Sequence, residues 1–257
     1  MREYDLIIDG ELVASSDFRH PPQIAGGVDD RLGGSMVLAQ IDVFNCKPRF
    51  GEIIELYVNG AILFKGYIIN VNSFQPNRTD KVVRYYCRTI KKDPEVVQSF
   101  RSGLSIESAT SSITKMKVES KGDIGNIDKN LSFKAPVSSV MDELSSLYKF
   151  KYKIRYDICT ITSDTYKDSP YEIPETQKLP GGTVVTEEGA RIKVRLSPEL
   201  TPYRVIDARS LSPIIGRSDV YIRKVDLKDG LYKIIDIGHA FDFYGSTWET
   251  SMRCINV

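Results

Sequence analysis

Histidine is nearly missing from this chain. His20 and His239 are the only two, so neither a His-Glu-x-x-His zinc helix nor a three-histidine metal site can form. Cysteine is almost as scarce. Cys46, Cys87, Cys159 and Cys254 lie far apart with no close pair, which suggests neither a disulfide framework nor a zinc site but reduced thiols buried in strands. No Gly-x-Gly-x-x-Gly, Gly-x-x-x-x-Gly-Lys-Ser/Thr or Gly-x-Ser-x-Gly occurs, which removes support for nucleotide-binding and α/β-hydrolase readings. Long apolar runs are also lacking. The best, Ala61-Ile-Leu-Phe64, breaks at Lys65, so no membrane span is expected. Nor does one sign of charge dominate: 35 Lys plus Arg face 34 Asp plus Glu, and each third of the chain stays balanced, so no segment offers the footprint of a dedicated nucleic-acid binder. The first residues, Met1-Arg-Glu-Tyr-Asp5, carry early acids and no apolar stretch, so a secretory signal is not expected. The sequons at Asn77 and Asn130 then carry no weight.

What is present is a core-forming composition, 41% hydrophobic over 257 residues, arranged mostly in short β-branched or alternating runs. Runs at 5–9 and 12–15 flank Asp9-Gly10, and runs at 53–58 and 61–70 flank Asn59-Gly60, the dipeptides preferred in tight hairpins. Further strands are expected over 35–44 and 82–90, with a Pro- and Gly-rich loop between (Pro21, Pro22, Gly26, Gly27, Gly33, Gly34). From about residue 95 the period changes. Residues 105–116 place Ile106, Ala109, Ile113 and Met116 on one helical stripe, and 138–148 form a second helix capped by Ser138 or Ser139, with Val140, Leu144, Leu147 and Tyr148 facing one way. A hairpin around Arg155-Tyr-Asp157 follows. Residues 168–182, crowded with Pro and Gly, read as a linker. Strands resume over 183–185, 190–196, 218–225, 232–243 and 247–255, with Asp229-Gly230 as another turn. The fold class expected is mainly β: two antiparallel β-barrels, over 1–95 and 168–257, around a small α/β insert over 96–167.

Candidate chemistry is sparse. His239, Asp242 and Ser246 contain the residue types of a nucleophilic triad, but the local spacing shows neither a shared base nor an oxyanion site, and a strand histidine held by hydrogen bonds is the expectation. Glu187 and Glu188 are adjacent, so they point to opposite faces of a strand and do not pair for glycoside hydrolysis. The most patterned charge is Lys149-Phe-Lys-Tyr-Lys-Ile-Arg-Tyr156. Period two sends Lys151 and Lys153 to one face and the aromatics to the other, so the pair is expected to form an open basic face able to meet an acidic partner or passing DNA.

The run Tyr232-Lys-Ile-Ile-Asp-Ile-Gly-His239-Ala-Phe-Asp242-Phe-Tyr-Gly245-Ser-Thr-Trp248-Glu-Thr250 resembles the closing motif of phage tail hub proteins. The family usually has Gly where Phe241 stands. Three further segments look similar: residues 51–68, the Ala135-Pro-Val-Ser-Ser-Val-Met-Asp-Glu-Leu144 helix with its hairpin, and Thr186-Glu-Glu-Gly-Ala-Arg-Ile-Lys-Val194. The resemblance implies a non-enzymatic baseplate hub of the virion, assembled in the bacterial cytoplasm. It would be a homotrimer with two tube-like β-barrels per chain, forming a pseudo-sixfold ring between the hexameric tail tube protein and the central spike protein. Other baseplate proteins would surround it, and tape-measure protein or DNA would pass through its channel. No cofactor or metal is implied. His239, Asp242, Gly245, Trp248 and Thr250 become structural motif residues. Lys151 and Lys153 become a face toward surrounding baseplate proteins. Trp248, the only tryptophan, is expected inside the second barrel on the Thr250 side, where truncation to Ala would cost about 3 to 5 kcal/mol. Two other readings stay open, a tail-associated peptidoglycan hydrolase and the hub of a phage-like contractile injector.

Overall fold

The computed structural model describes residues 2–31, 37–90, 93–155, 158–166, 169–186, 189–209, 211, 214–215 and 230–257. The expected strand over 218–225, Glu187, Glu188, Asp229 and the Tyr156-Asp157 turn lie outside them.

The first β unit contains β1 (Tyr4–Ile8), β2 (Glu11–Ser15), β3 (Ile24–Arg31), β4 (Leu38–Phe44), β5 (Ile53–Val58), β6 (Ala61–Phe74) and β7 (Val82–Arg88). Its two tight hairpins turn where the dipeptides require it. Asp9 and Gly10 have φ of 49° and 79°, Asn59 and Gly60 49° and 76°, both residues left-handed in each turn as a right-twisted hairpin needs. The insert follows with β8 (Glu95–Phe100), α1 (Ile106–Thr114), β9 (Lys117–Lys121), β10 (Leu131–Pro136), α2 (Val137–Tyr148), β11 (Phe150–Arg155) and β12 (Ile158–Ser163). The second β unit holds β13 (Tyr171–Glu172), β14 (Lys178–Thr186), β15 (Gly189–Arg195), β16 (Val205–Asp207), β17 (Ile214–Ile215), β18 (Leu231–Asp242) and β19 (Trp248–Asn256).

The molecule is mainly β, and among the described residues both α-helices lie in the small insert. One path of paired strands runs β17-β14-β15-β19-β18-β3-β4-β7-β6-β5-β1-β2, with β16 bound to the flank of β18 and β13 to β16. The two β units therefore share one sheet, joined where β3 pairs antiparallel with β18 from Asp236↔Arg31 to Asp242↔Ala25. This seam strand lies in the stretch expected as a Pro- and Gly-rich loop. Gly26 is there for space: a Cβ at its position would fall 2.1 Å from the Gln40 carbonyl oxygen and 3.1 Å from the Phe241 ring. Glycine within a strand often marks such a close approach.

Period-two alternation sends Tyr4, Leu6 and Ile8 of β1, Ile54, Leu56 and Val58 of β5, and Ile41, Val43, Val83 and Tyr85 of the central strands into one core. A second core lies within the second unit, around Ile192, Val194, Ile206, Ile234 and Ile237. The insert has a third, in which Ile106, Ala109 and Ile113 of α1 and Val140, Met141 and Leu144 of α2 cover Phe150, Ile154 and Ile161. Ser105 caps α1, its hydroxyl accepting from the Ser108 amide at 3.2 Å. The start of α2 differs from expectation. Pro136 stands at the cap position, and Asp93 accepts from the Ser138 amide at 3.0 Å and from its hydroxyl, so the cap comes from another segment. Leu147 is exposed, whereas Tyr148 packs half-buried against the insert core and its hydroxyl donates to Asp128 at 2.7 Å. Part of the expected linker is strand, since β14 begins at Lys178 and absorbs Pro180, Gly181 and Gly182 in an irregular stretch of its register. Among the described residues, no helix is long and apolar enough to cross a membrane.

Candidate functional site at the seam of the sheet

The motif residues at the C-terminal end build the hairpin that carries the seam. His239 on β18 lies opposite Thr250 on β19 and Val28 on β3, and His239 is fully buried. Its Nδ1 meets the Thr250 hydroxyl at 2.9 Å, and the same hydroxyl accepts from the Ser197 amide at 2.9 Å. Thr250 thus ties three segments with one oxygen. Burial first, and the Arg155 charge second, push His239 down to about 3, so the ring stays neutral across the ordinary pH range. Asp242 caps the turn. Its Oδ1 accepts from the Gly245 amide at 2.8 Å, the Tyr244 amide at 3.2 Å and the Gln23 side chain at 3.0 Å. Gly245 is needed for this approach, because a Cβ there would lie 2.2 Å from Asp242 Oδ2. Arg2 locks the outside of the turn by donating to the carbonyls of Asp242 at 3.1 Å and Gly245 at 2.6 Å.

His239 and Asp242 lie on opposite faces of β18 by period two, and each is occupied elsewhere. No triad with Ser246 is assembled. Phe241, where the resemblance leads one to expect Gly, is buried opposite Gly26, whose missing side chain makes room for the ring. Trp248 departs from expectation. It is only partly buried and packs on the first unit's core, 6.4 Å from the Phe243 ring, with the Arg2 guanidinium 5.2 Å over it. The cause is its position at the first residue of β19, where the sheet ends beside the N-terminal segment.

The two lysines expected on one open face are separated. Lys151 is exposed, 3.9 Å from Asp164. Lys153 is buried, in an ion pair with Asp30 Oδ1, while Arg155 Nε lies 3.2 Å from Asp30 Oδ2. Asp30 itself is fully buried on β3, and the side chains of Lys153 and Arg155 are only 10% and 14% exposed. Period two did send Phe150, Tyr152 and Ile154 into the insert core, as expected. The basic face, however, lies over the seam strand, and Asp30 claims its end. Burial first and the Arg155 charge second hold Lys153 below the ordinary lysine range, opposed by Asp236 and Asp29. Sequence reasoning missed Asp30 and Arg2, saw Arg155 only as one cation of the alternating basic run, and read Gly26 as part of a loop. An acidic pair, Asp29-Asp30, inside a strand was the one available signal.

Among the described residues, no cluster of three His, Cys, Asp or Glu side chains could hold a metal ion. No family model matches the sequence and no curated protein does. Solved structures do. The chain is similar to the 43 kDa tail protein of prophage MuSo2 from Shewanella oneidensis, with a TM-score of 0.69 and 9% identity, covering 100% of this chain and 98% of that one. It is similar to a tail protein from Neisseria meningitidis, with a TM-score of 0.66 and 8% identity over 99% of this chain and 96% of that one. A component of the Escherichia coli type VI secretion system, described as structurally similar to the T4 bacteriophage tail proteins gp27 and gp5, matches with a TM-score of 0.63 and 11% identity over 98% of this chain and 76% of that one. At such identities the likeness establishes the fold, and over its whole length this chain has the fold of phage tail proteins.

Proposed function

We propose that this chain is the structural hub of a phage tail baseplate, a homotrimer whose ring joins the hexameric tail tube to the central spike. The observation that carries the reading is the single sheet running through both β units across the β3–β18 seam. Two β units held in one sheet give three chains six units around an axis, the symmetry match that a hexameric tube and a trimeric spike require. The division into 1–95, 96–167 and 168–257 is supported by the three cores, although Leu196 and Phe241 of the second unit also pack in the first core. Tube protein, spike protein and surrounding baseplate proteins are the partners, with tape-measure protein or DNA passing through. The work is done by shape, without catalysis or cofactor, in the virion tail after assembly in the host cytoplasm. His239, Asp242, Gly245, Trp248 and Thr250 serve it structurally, and Lys151 remains open for a baseplate partner. The type VI neighbour favours a second reading, the same role in a phage-like injector.

The test is mass in solution, alone and with the cognate tube and spike proteins, followed by electron microscopy of the assembly. A species of three times the 29.0 kDa chain with sixfold-like density is expected. A chain that stays monomeric even with both partners, or β units that do not superpose on each other, removes the reading.

A further inference from the structure

The exposed face of β15 carries a basic ladder. Its alternation buries Ile192 and Val194 and exposes Arg191, Lys193 and Arg195. Residues two apart on a strand are about 6.6–6.8 Å apart, so the three charges form a straight line of evenly spaced cations. The neighbouring strand adds a fourth: Arg253 on β19 stands directly opposite Arg191. Like charges so placed across a sheet are unfavourable, whereas Arg195 at the other end of the strand stands opposite Glu249. Lys193 is met by Glu249 at 2.9 Å and Arg253 by Asp236. Among the described residues, no acid lies within ion-pair distance of Arg191 or Arg195.

The ladder ends in a cleft. Arg195 lies on its wall, together with Arg2, Asn59, Gln177, Trp248 and one acid, Glu249, around a volume of about 620 Å³. Arg195 gives it a guanidinium to meet a carboxylate and Trp248 an apolar surface for a chain to lie on, while the Arg2 guanidinium and the Gln177 amide already donate within the fold.

We propose that the exposed face of β15 and the cleft at its end bind an extended segment of a partner protein that carries acidic side chains at alternate positions. An extended chain repeats its side chains at the spacing of the ladder, so acids two residues apart meet Arg191, Lys193 and Arg195 in register. A nucleic acid fits less well. Glu249 and Asp236 interrupt the same face, where a continuous row of phosphates would meet them, and the chain as a whole carries a net charge of only +1. Binding of such a segment needs no trimer, so failure of the ring leaves it standing.

The probe is a fluorescein-labelled synthetic peptide of alternating Glu and Thr, titrated with the full chain at low ionic strength and read by anisotropy. Saturable binding that weakens with added salt is expected. A peptide of the same composition with its glutamates in one block should bind more weakly. Arg191→Gln combined with Arg195→Gln should weaken the alternating peptide by about tenfold, the scale of two exposed charge pairs. In the unsubstituted protein, the peptide should shift the fluorescence of Trp248, the only tryptophan, which requires no variant to fold. Absence of binding, equal affinity for the block peptide, tighter binding of oligothymidylate than of peptide, or a double variant that folds and binds like the parent each overturns the proposal.

Discussion

Replacing Asp30 by Asn removes one charge and almost no volume from the joint between the insert and the sheet. The carboxylate is fully buried, and the two cations that reach it from β11 are themselves nearly closed to water. Its loss takes from Lys153 and Arg155 the carboxylate that both reach, and leaves Lys153 facing the Arg155 charge with Asp29 and Asp236 as the opposing acids. Removing one partner of a buried pair costs about 3–5 kcal/mol, because the charge left behind is neither solvated nor matched. Replacing the whole cluster by apolar groups is different. In Asp30→Leu, Lys153→Met, Arg155→Met none of the three buried charges is left to desolvate, and most of the lost stability should return. Lys153 supplies a second signature. Burial and the Arg155 charge already hold its pKa below the ordinary range, and loss of the facing Asp30 carboxylate, which favours the charged form, should lower it further. Between that folded value and about 10.4, the unfolded chain binds more protons than the folded one, so stability rises with pH and is lost as pH falls. The single variant should therefore regain stability from neutral to alkaline pH more steeply than the parent. Urea unfolding followed by far-ultraviolet circular dichroism measures both effects. An Asp30→Asn protein with the parent's midpoint, or an apolar triple no more stable than the single variant, would refute the reasoning.

His239, held near 3 against about 6.5 in the unfolded chain, makes stability fall by up to about 1.4 kcal/mol per pH unit as pH drops from 6.5 toward 3. His239→Asn keeps a polar group for Thr250 and should flatten that slope by one proton; an unchanged slope in the unfolding free energies would count against the neutral buried ring. Gly245→Ala forces the turn off Asp242 and should cost about 2–3 kcal/mol in thermal melts, the range of a strained turn with lost amide bonds. Adding it to Asp242→Ala should cost little more, since the clash partner is then gone, and strict additivity would show that the two residues do not share one device. Trp248→Ala should cost only about 1–2 kcal/mol, below the figure expected for a core position, because the indole is partly exposed. A loss as large as that of a core aromatic would place it deeper than the structure does.

The parts of the fold legible in the sequence are those whose causes are local. Asp9-Gly10 and Asn59-Gly60 state their own turn, and the stripe of Ile106, Ala109 and Ile113 states its own buried face. The seam strand β3 states nothing of the kind. Gly26 and Gly27 lie in Ile24–Arg31 and read as loop punctuation, yet they stand in the middle of the sheet because Gln40 and Phe241 approach from strands on either side. The same distance hides the fate of the Lys151 and Lys153 face. Alternation correctly separates lysines from aromatics, but which lysine meets water depends on Asp30, a residue of another unit. Phe241 makes the point from the other direction. Judged along the chain, it departs from the motif and throws doubt on a local turn. Judged across the seam, the ring occupies volume that Gly26 leaves empty, so the departure is compensated by a residue near the other end of the sequence. These residues must therefore be read as pairs: His239 with Thr250 and Phe241 with Gly26 across the sheet, Asp242 with Gly245 within one turn, and Lys153 with Asp30 between the insert and the seam. A substitution at either member is interpretable only when the other is known.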